Sequence, residues 1–171
     1  YEAYLNGEKI GNEFLAPFYN DYNYWIQYQT YDITNLLKVG INELRVMLGN
    51  GWYKGRFGFI DNLDRLYGDM QIMICQLTVD FKNSNQITIY SDENFECQKS
   101  PILESSIYDG EIYDANLEPI EEKWMPVILA DEETQKLSEK LVPRYSLPLI
   151  IHEELKPKDI INTPAGEVVL D

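Results

Sequence analysis

The chain has 171 residues, 44% of them hydrophobic and 13% aromatic, and its 29 acidic against 14 basic side chains give a formal net charge of −15. That length and apolar content suit one domain with a real core and argue against intrinsic disorder, which goes with few aromatic and β-branched residues. The acidic excess argues against nucleic acid and anionic membrane surfaces, both bound through Lys and Arg, and no apolar run approaches the roughly 18 residues of a membrane span.

In chain order, the recurrent signal is a short alternating run bounded by turn residues. Tyr1 to Leu5 is such a run, and Asn6-Gly7 makes a two-residue hairpin signal before Glu8-Lys9-Ile10, because both turn residues tolerate positive φ. Gln27 to Ile33 alternates and is rich in Tyr and Thr, which predicts another strand. Thr34 to Lys38 predicts one helical turn, capped by Asp32 or Thr34 and stopped at Gly40. Strands follow over Glu43 to Leu48 and over Met70 to Phe81, the longest apolar candidate. The latter turns at Lys82 to Asn85 and returns as Gln86 to Tyr90. Asn94 to Gln98 and Ile112 to Ala115 are weaker strands, and Pro126 confines Trp124 to Leu129 to a sheet edge. Asp131 to Leu141 reads either as a short helix with an acidic N-terminus or as a solvated acidic loop.

Many short strands and little helix predict an all-β fold, an antiparallel β-sandwich of jelly-roll (galactose-binding-like) type with one or two short helical turns. The sandwich is expected over residues 1–142. From Pro143, with Pro148, Pro157 and Pro164 following, the pattern weakens, so 143–171 reads as an extended connector ending in the first strand toward a next domain. An opening on Tyr1 and a strand-like close at Glu167 to Asp171 lead to the expectation of a domain excised from a larger parent.

Catalytic machinery is sparse. His152 is the only histidine and sits in the proline-rich tail, whereas acid–base and metal sites need clusters. There is no Gly-x-Ser-x-Gly elbow, His-Glu-x-x-His or Gly-rich phosphate loop. Cys75, inside the apolar run from Met70 to Leu77, reads as a buried thiol, and its pairing with Cys97 stays open.

Three groups of residues carry candidate chemistry. Glu104, Asp109, Glu111 and Asp114 cluster, and two carboxylates flanking a sugar are what a glycosidase uses; the plainer reading has them bonding loop amides. Gly49 to Phe59 interleaves four glycines with aromatic rings and two cations. Glycines let a loop turn sharply, and Trp and Tyr faces stack on sugar rings. Trp52, Tyr53, Arg56, Glu104, Asp109 and Glu111 are therefore the candidate carbohydrate-binding residues, with Trp52 and Phe57 as plugs of one end of the sandwich the plainer alternative. Asp61, Asn62 and Asp64, with Asp69 nearby, are candidate calcium ligands, since calcium favours carboxylate and amide oxygens. Their spacing does not match the helix–loop–helix calcium loop, so an unoccupied hairpin loop is the alternative. Asn12, Asn20, Asp21 and Asn23 form an equally polar loop near Tyr19, Tyr22, Tyr24 and Trp25.

Several segments together carry a family likeness: Tyr4-Leu5-Asn6-Gly7, Leu15-Ala16-Pro17, Asp21-Tyr22, and Tyr28-Gln29-Thr30-Tyr31-Asp32-Ile33-Thr34-Asn35-Leu36-Leu37. Gly49-Asn50-Gly51-Trp52-Tyr53-Lys54-Gly55, Tyr67-Gly68-Asp69, Ser100-Pro101-Ile102-Leu103-Glu104-Ser105 and Tyr108-Asp109-Gly110-Glu111-Ile112-Tyr113-Asp114-Ala115 continue it. In order and spacing the chain resembles the N-terminal β-sandwich domain of the bacterial α-L-rhamnosidases. It departs from the family at Phe18-Tyr19-Asn20, where Gly-Trp-Thr often precedes Asp-Tyr. The resemblance implies a parent glycoside hydrolase that removes terminal α-L-rhamnose with inversion, using two acidic residues on a separate α/α barrel. Nothing here matches that barrel, so the fragment is expected to be non-catalytic. In some members a comparable sandwich binds rhamnose with calcium, which makes a rhamnose-containing carbohydrate, the barrel domain and calcium the expected partners. Two functions follow: an accessory carbohydrate-binding domain, or a structural domain that packs against the barrel. A self-sufficient glycosidase using Glu104 and Glu111 ranks below both.

Overall fold

The structure is a computed structural model and describes residues 1–59, 63–117 and 123–170. β1 (Glu2–Leu5) turns into β2 (Glu8–Lys9), with Tyr4 opposite Lys9 and Leu5 opposite Glu8. Asn6 and Gly7 sit at φ 55° and 85°, the left-handed pair that a tight hairpin requires. The Asn6 side chain also ties this turn to its surroundings. Its Nδ2 donates to the Leu36 carbonyl at 2.8 Å and to Asn42 Oδ1 at 2.9 Å, and its Oδ1 accepts from the Glu43 amide at 3.1 Å.

β3 (Glu13–Phe14) and β4 (Ile26–Tyr28) follow, then a 3-10 turn over Thr34–Leu36 and β5 (Leu44–Met47). The predicted strand to Ile33 is thus only three residues long. The N-cap of the turn is Ile33, which makes no side-chain cap bond, rather than Asp32 or Thr34; Asp32, one residue earlier, accepts from the Thr34 amide and hydroxyl. β5 pairs with the far side of β1, giving the order β2-β1-β5 and placing Leu44 opposite Leu5.

The Trp52 loop, expected to be irregular, instead contains a single helical turn, α1 (Gly51–Lys54). β6 (Gln76–Asp80) and β7 (Gln86–Tyr90) form the expected hairpin in full register. The run from Met70 to Cys75 lies outside the ladder, with only Cys75 bonded to the returning strand's continuation at Ser91, because apolarity alone supplies no hydrogen-bonding neighbour. β8 (Glu96–Cys97), β9 (Ile102–Ser106), β10 (Gly110–Tyr113) and β11 (Met125–Pro126) complete the central part. β9 pairs with β10 and β11 with β8, both antiparallel. The acidic segment resolves as α2 (Glu132–Gln135), with Asp131 Oδ1 accepting from the Thr134 amide at 2.8 Å, and runs on as a 3-10 turn over Lys136–Lys140.

β12 (Leu141–Pro143) lies parallel to β4, β13 (Leu149–Ile150) lies antiparallel to β3, and β14 (Ile160–Asn162) forms a hairpin with β15 (Val168–Leu170). The whole is an all-β sandwich with few, short helices.

Full burial is confined to a few side chains. Among the described residues Leu5 is 1% exposed, with Ile10 and Ala16 the other buried hydrophobics, and Glu13, Asn20 and Gln27 are buried beside them. Buried polar groups are costly unless bonded, and these are. Gln27 Oε1 accepts from the Tyr145 and Ser146 amides, both at 3.1 Å, while its own amide donates to Asn20 Oδ1 at 2.9 Å. Asn20 Nδ2 reaches the Phe18 carbonyl, and Glu13 takes the Tyr31 hydroxyl and an Arg144 ion pair. These bonds fasten residues 144–146 to the loops around β3 and β4.

Candidate functional site

The loop carrying α1 is held against the tip of the β9–β10 hairpin from both sides. The Asn50 amide donates to Ser105 Oγ at 3.2 Å and its Nδ2 to the Ser105 carbonyl at 3.1 Å. Further on, Arg56 Nη2 meets Asp109 Oδ1 at 2.6 Å. Asp109 is itself fixed by the turn, since its Oδ2 accepts from Ser106 Oγ at 3.0 Å and Ser106 Oγ accepts from the Asp109 amide at 3.1 Å. Trp52 Nε1 donates to the Tyr108 hydroxyl at 3.3 Å. Trp52, through Tyr108, and Arg56, through Asp109, are thus both brought to the tip of the β9–β10 hairpin.

Rings occupy the space around Trp52. Phe18 and Tyr19 meet it edge-on at 5.5 and 6.1 Å between centroids, and Tyr19 also touches Phe57 at 5.7 Å. Tyr53 belongs to an adjoining group, with Tyr22 edge-on at 4.9 Å and Tyr67 stacked at 6.5 Å. Edge-to-face pairs of this kind stabilise beyond the area they bury. Gly68 permits the second group, because a Cβ there would lie 2.4 Å from Tyr53 Oη. Burial raises the Tyr22 and Tyr53 phenols above their ordinary range, and the bond to Tyr19 raises Tyr67. All three stay neutral at physiological pH.

Phe18, Tyr19 and Tyr67 were not among the candidates. Their segment was legible as aromatic, but the contact joins residues far apart in sequence. The same cluster supports the plainer reading of Trp52, as a ring packed at one end of the sandwich. Phe59 is 81% exposed and meets Tyr108 edge-on at 5.3 Å. Arg56 Nε is buried without a hydrogen-bond partner.

The remaining candidates are placed differently. Glu104 stands opposite Ile112 and Glu111 opposite Ser105 in the β9–β10 ladder. Directly opposed residues share a face and successive residues alternate, so the two glutamates project from opposite faces and do not flank a common space. Asp61 and Asn62 lie outside the described residues. Asp64 forms an isolated bridge with Arg56 and a 2.7 Å ion pair with Arg65. Among the described residues no group of three His, Cys, Asp or Glu side chains is placed to hold a metal ion. His152 is exposed in the tail, and Cys75 and Cys97 are both free. Among the described residues no helix is long and apolar enough to cross a membrane. What the site offers is stacking and hydrogen bonding.

Comparison with known proteins agrees with the fold. Residues 1–152 match the family model described as the α-L-rhamnosidase N-terminal domain. An α-L-rhamnosidase of Streptomyces avermitilis is 31% identical over all of this chain, which covers 17% of that protein. One from Formosa agariphila is 35% identical over 69% of the chain and 13% of its own length. Among solved structures, the native α-L-rhamnosidase of Aspergillus terreus superposes with a TM-score of 0.87 at 32% identity, over 99% of this chain and 20% of that one. The Streptomyces avermitilis enzyme complexed with L-rhamnose gives 0.85 at 31% identity, over 99% and 17%. The chain therefore spans about a fifth or less of the relatives it matches.

Proposed function

Because the chain belongs to the α-L-rhamnosidase N-terminal domain family, we propose that it is a non-catalytic domain of a larger glycoside hydrolase acting on terminal α-L-rhamnose, and that its role there is structural. The parent's hydrolysis, with inversion, is assigned to two acidic residues of an α/α barrel outside this chain, against which the domain packs. One observation carries the structural reading: apolar side chains fill the faces of the strands yet stay open. β14 and β15 show it most fully, with Ile160, Ile161, Val168, Val169 and Leu170 all exposed on both faces of one hairpin. Large contiguous apolar surface belongs at an interface. Residues 143–171 then act as the connector, with 141–150 anchored by β12 and β13 and the last hairpin presented to the neighbouring domain.

The test is deletion of residues 1–152 from the parent enzyme. Loss of soluble protein, or a fall in thermal midpoint with loss of aryl α-L-rhamnoside hydrolysis, is expected. A truncated enzyme as stable and active as the whole would overturn the reading.

A second reading, carbohydrate binding, is favoured by two features of one loop, the exposed Phe59 ring and the unpartnered Arg56 Nε. Trp52, Tyr53, Arg56 and Asp109 would frame that site, with a rhamnose-containing carbohydrate as ligand and calcium at Asp64 and its neighbours. Titration calorimetry with L-rhamnose, with and without calcium, decides it; no heat in either condition removes it.

A further inference from the structure

The β6–β7 hairpin is sorted by face. Leu77 opposite Ile89 and Val79 opposite Ile87 form one, aliphatic side; Gln76 opposite Tyr90, Thr78 opposite Thr88 and Asp80 opposite Gln86 form the other, polar except for the Tyr90 ring. A strand pair so divided is one layer of a sandwich, its apolar side meant for burial. Leu77, Val79 and Ile89 of that side line a cleft of about 440 Å³, together with Leu5, Leu37, Leu44, Cys75 and Phe95. The cleft is unfilled: Ile89 on its wall is 50% exposed.

The walls are also incomplete sideways. Among the described residues β6 and β7 pair only with each other, and β5 pairs only with β1. An apolar strand face bordered by free strand edges is the arrangement to which an extended segment adds, through main-chain bonds on the edge and side chains in the cleft. A sugar fits poorly, since its hydroxyls would face mostly aliphatic carbon there. A second copy of this chain is opposed by its net charge of −15. A strand on the same polypeptide is favoured by tethering, which raises its effective concentration without new contacts. The relatives carry about four-fifths of their length outside the matched region, more than enough to supply it.

We propose that this cleft receives a β-strand of the parent polypeptide from outside these 171 residues, with aliphatic side chains alternating along one face, and that the sandwich is closed only with that strand in place. The inference rests on the structural reading above and names where the contact is made.

The experiment uses the full-length parent. A photo-crosslinking amino acid at Ile89 is expected to join, on irradiation, one alternating aliphatic segment outside the domain, identified by peptide mass spectrometry. In the unmodified parent, alkylation of Cys75, which lines the cleft, is expected to be at least about tenfold slower than that of exposed Cys97, and equal to it after unfolding. A crosslink to a second copy, a crosslink confined to this domain, or Cys75 alkylated as fast as Cys97 in the folded parent would each overturn the proposal. The two readings fail separately. If deletion of residues 1–152 leaves the parent stable and active, the structural function falls, while a crosslink at Ile89 still places the strand.

Discussion

The aromatic end of the molecule and the β6–β7 hairpin solve the same problem with different completeness. Around Trp52 every large ring has a neighbour from a distant segment, and the polar groups behind it, Asn20 and Gln27, are bonded within the chain. In the hairpin the face is equally well sorted, but Ile87 and Ile89 are left half open. Local patterning can therefore be finished where tertiary burial is not. Self-contained contacts identify the part of the domain that stabilises itself; sorted but open faces identify the part that needs a neighbour.

Substitutions that break this contrast should rank accordingly in chemical or thermal unfolding. Trp52→Ala removes the centre of the aromatic group and the bond to Tyr108, and is expected to cost about 3 kcal/mol. Gln27→Ala leaves the Tyr145 and Ser146 amides unpaired, for about 2 kcal/mol, and should raise hydrogen exchange at those two amides first. Gly68→Ala sets a Cβ against Tyr53 Oη and should cost about 1–2 kcal/mol, less if the ring swings aside. Ile89→Ser should change the stability of the 171-residue chain by only about 0.5–1 kcal/mol, because half of the side chain is already in water. A loss at Ile89 as large as that at Trp52 would show the cleft to be closed within this chain, and the contrast would fail.

The smallest effect is a signature rather than a loss. Burial, with the bonds to Glu13 and Tyr1, raises the Tyr31 phenol, and the Tyr19 bond raises Tyr67. A raised folded-state value means that the associated stability is complete below about pH 10, the unfolded phenol's own range, and is lost as pH climbs above it. A spectrophotometric alkaline titration should show these two, among the 13 tyrosines, ionising at higher pH than a free phenol. Ionisation of every tyrosine near pH 10 in the folded chain would contradict the packing described.

Much of the fold was legible because its signals are local. The Asn6-Gly7 turn, the β6–β7 hairpin, the helical turn after Asp32 and the edge position of Pro126 each depend on a few neighbouring residues. β3 and β9 were not predicted: β3 has two residues and is defined by its partner β13, and β9, Ile102–Ser106, does not alternate in polarity. The helical turn at Gly51–Lys54 was missed for a related reason: it is held by Tyr53 and Lys54 carbonyls bonding Tyr67 and Arg65 amides and by Ser105, all outside the loop. Of the candidate site, the Trp52–Arg56–Asp109 grouping was accessible from residue chemistry. That Glu104 and Glu111 face apart was not, because it turns on a one-residue offset in ladder register.

The sequence by itself determined that this is an acidic, all-β domain without local catalytic motifs, and its segments together pointed to the family. Those properties are sums or short-range patterns, independent of how strands meet. Only the tertiary structure decided that Trp52 is enclosed by its own chain's rings and that the β6–β7 face is not. Both depend on which distant residues share a volume, and burial is a property of that shared volume rather than of any residue in it.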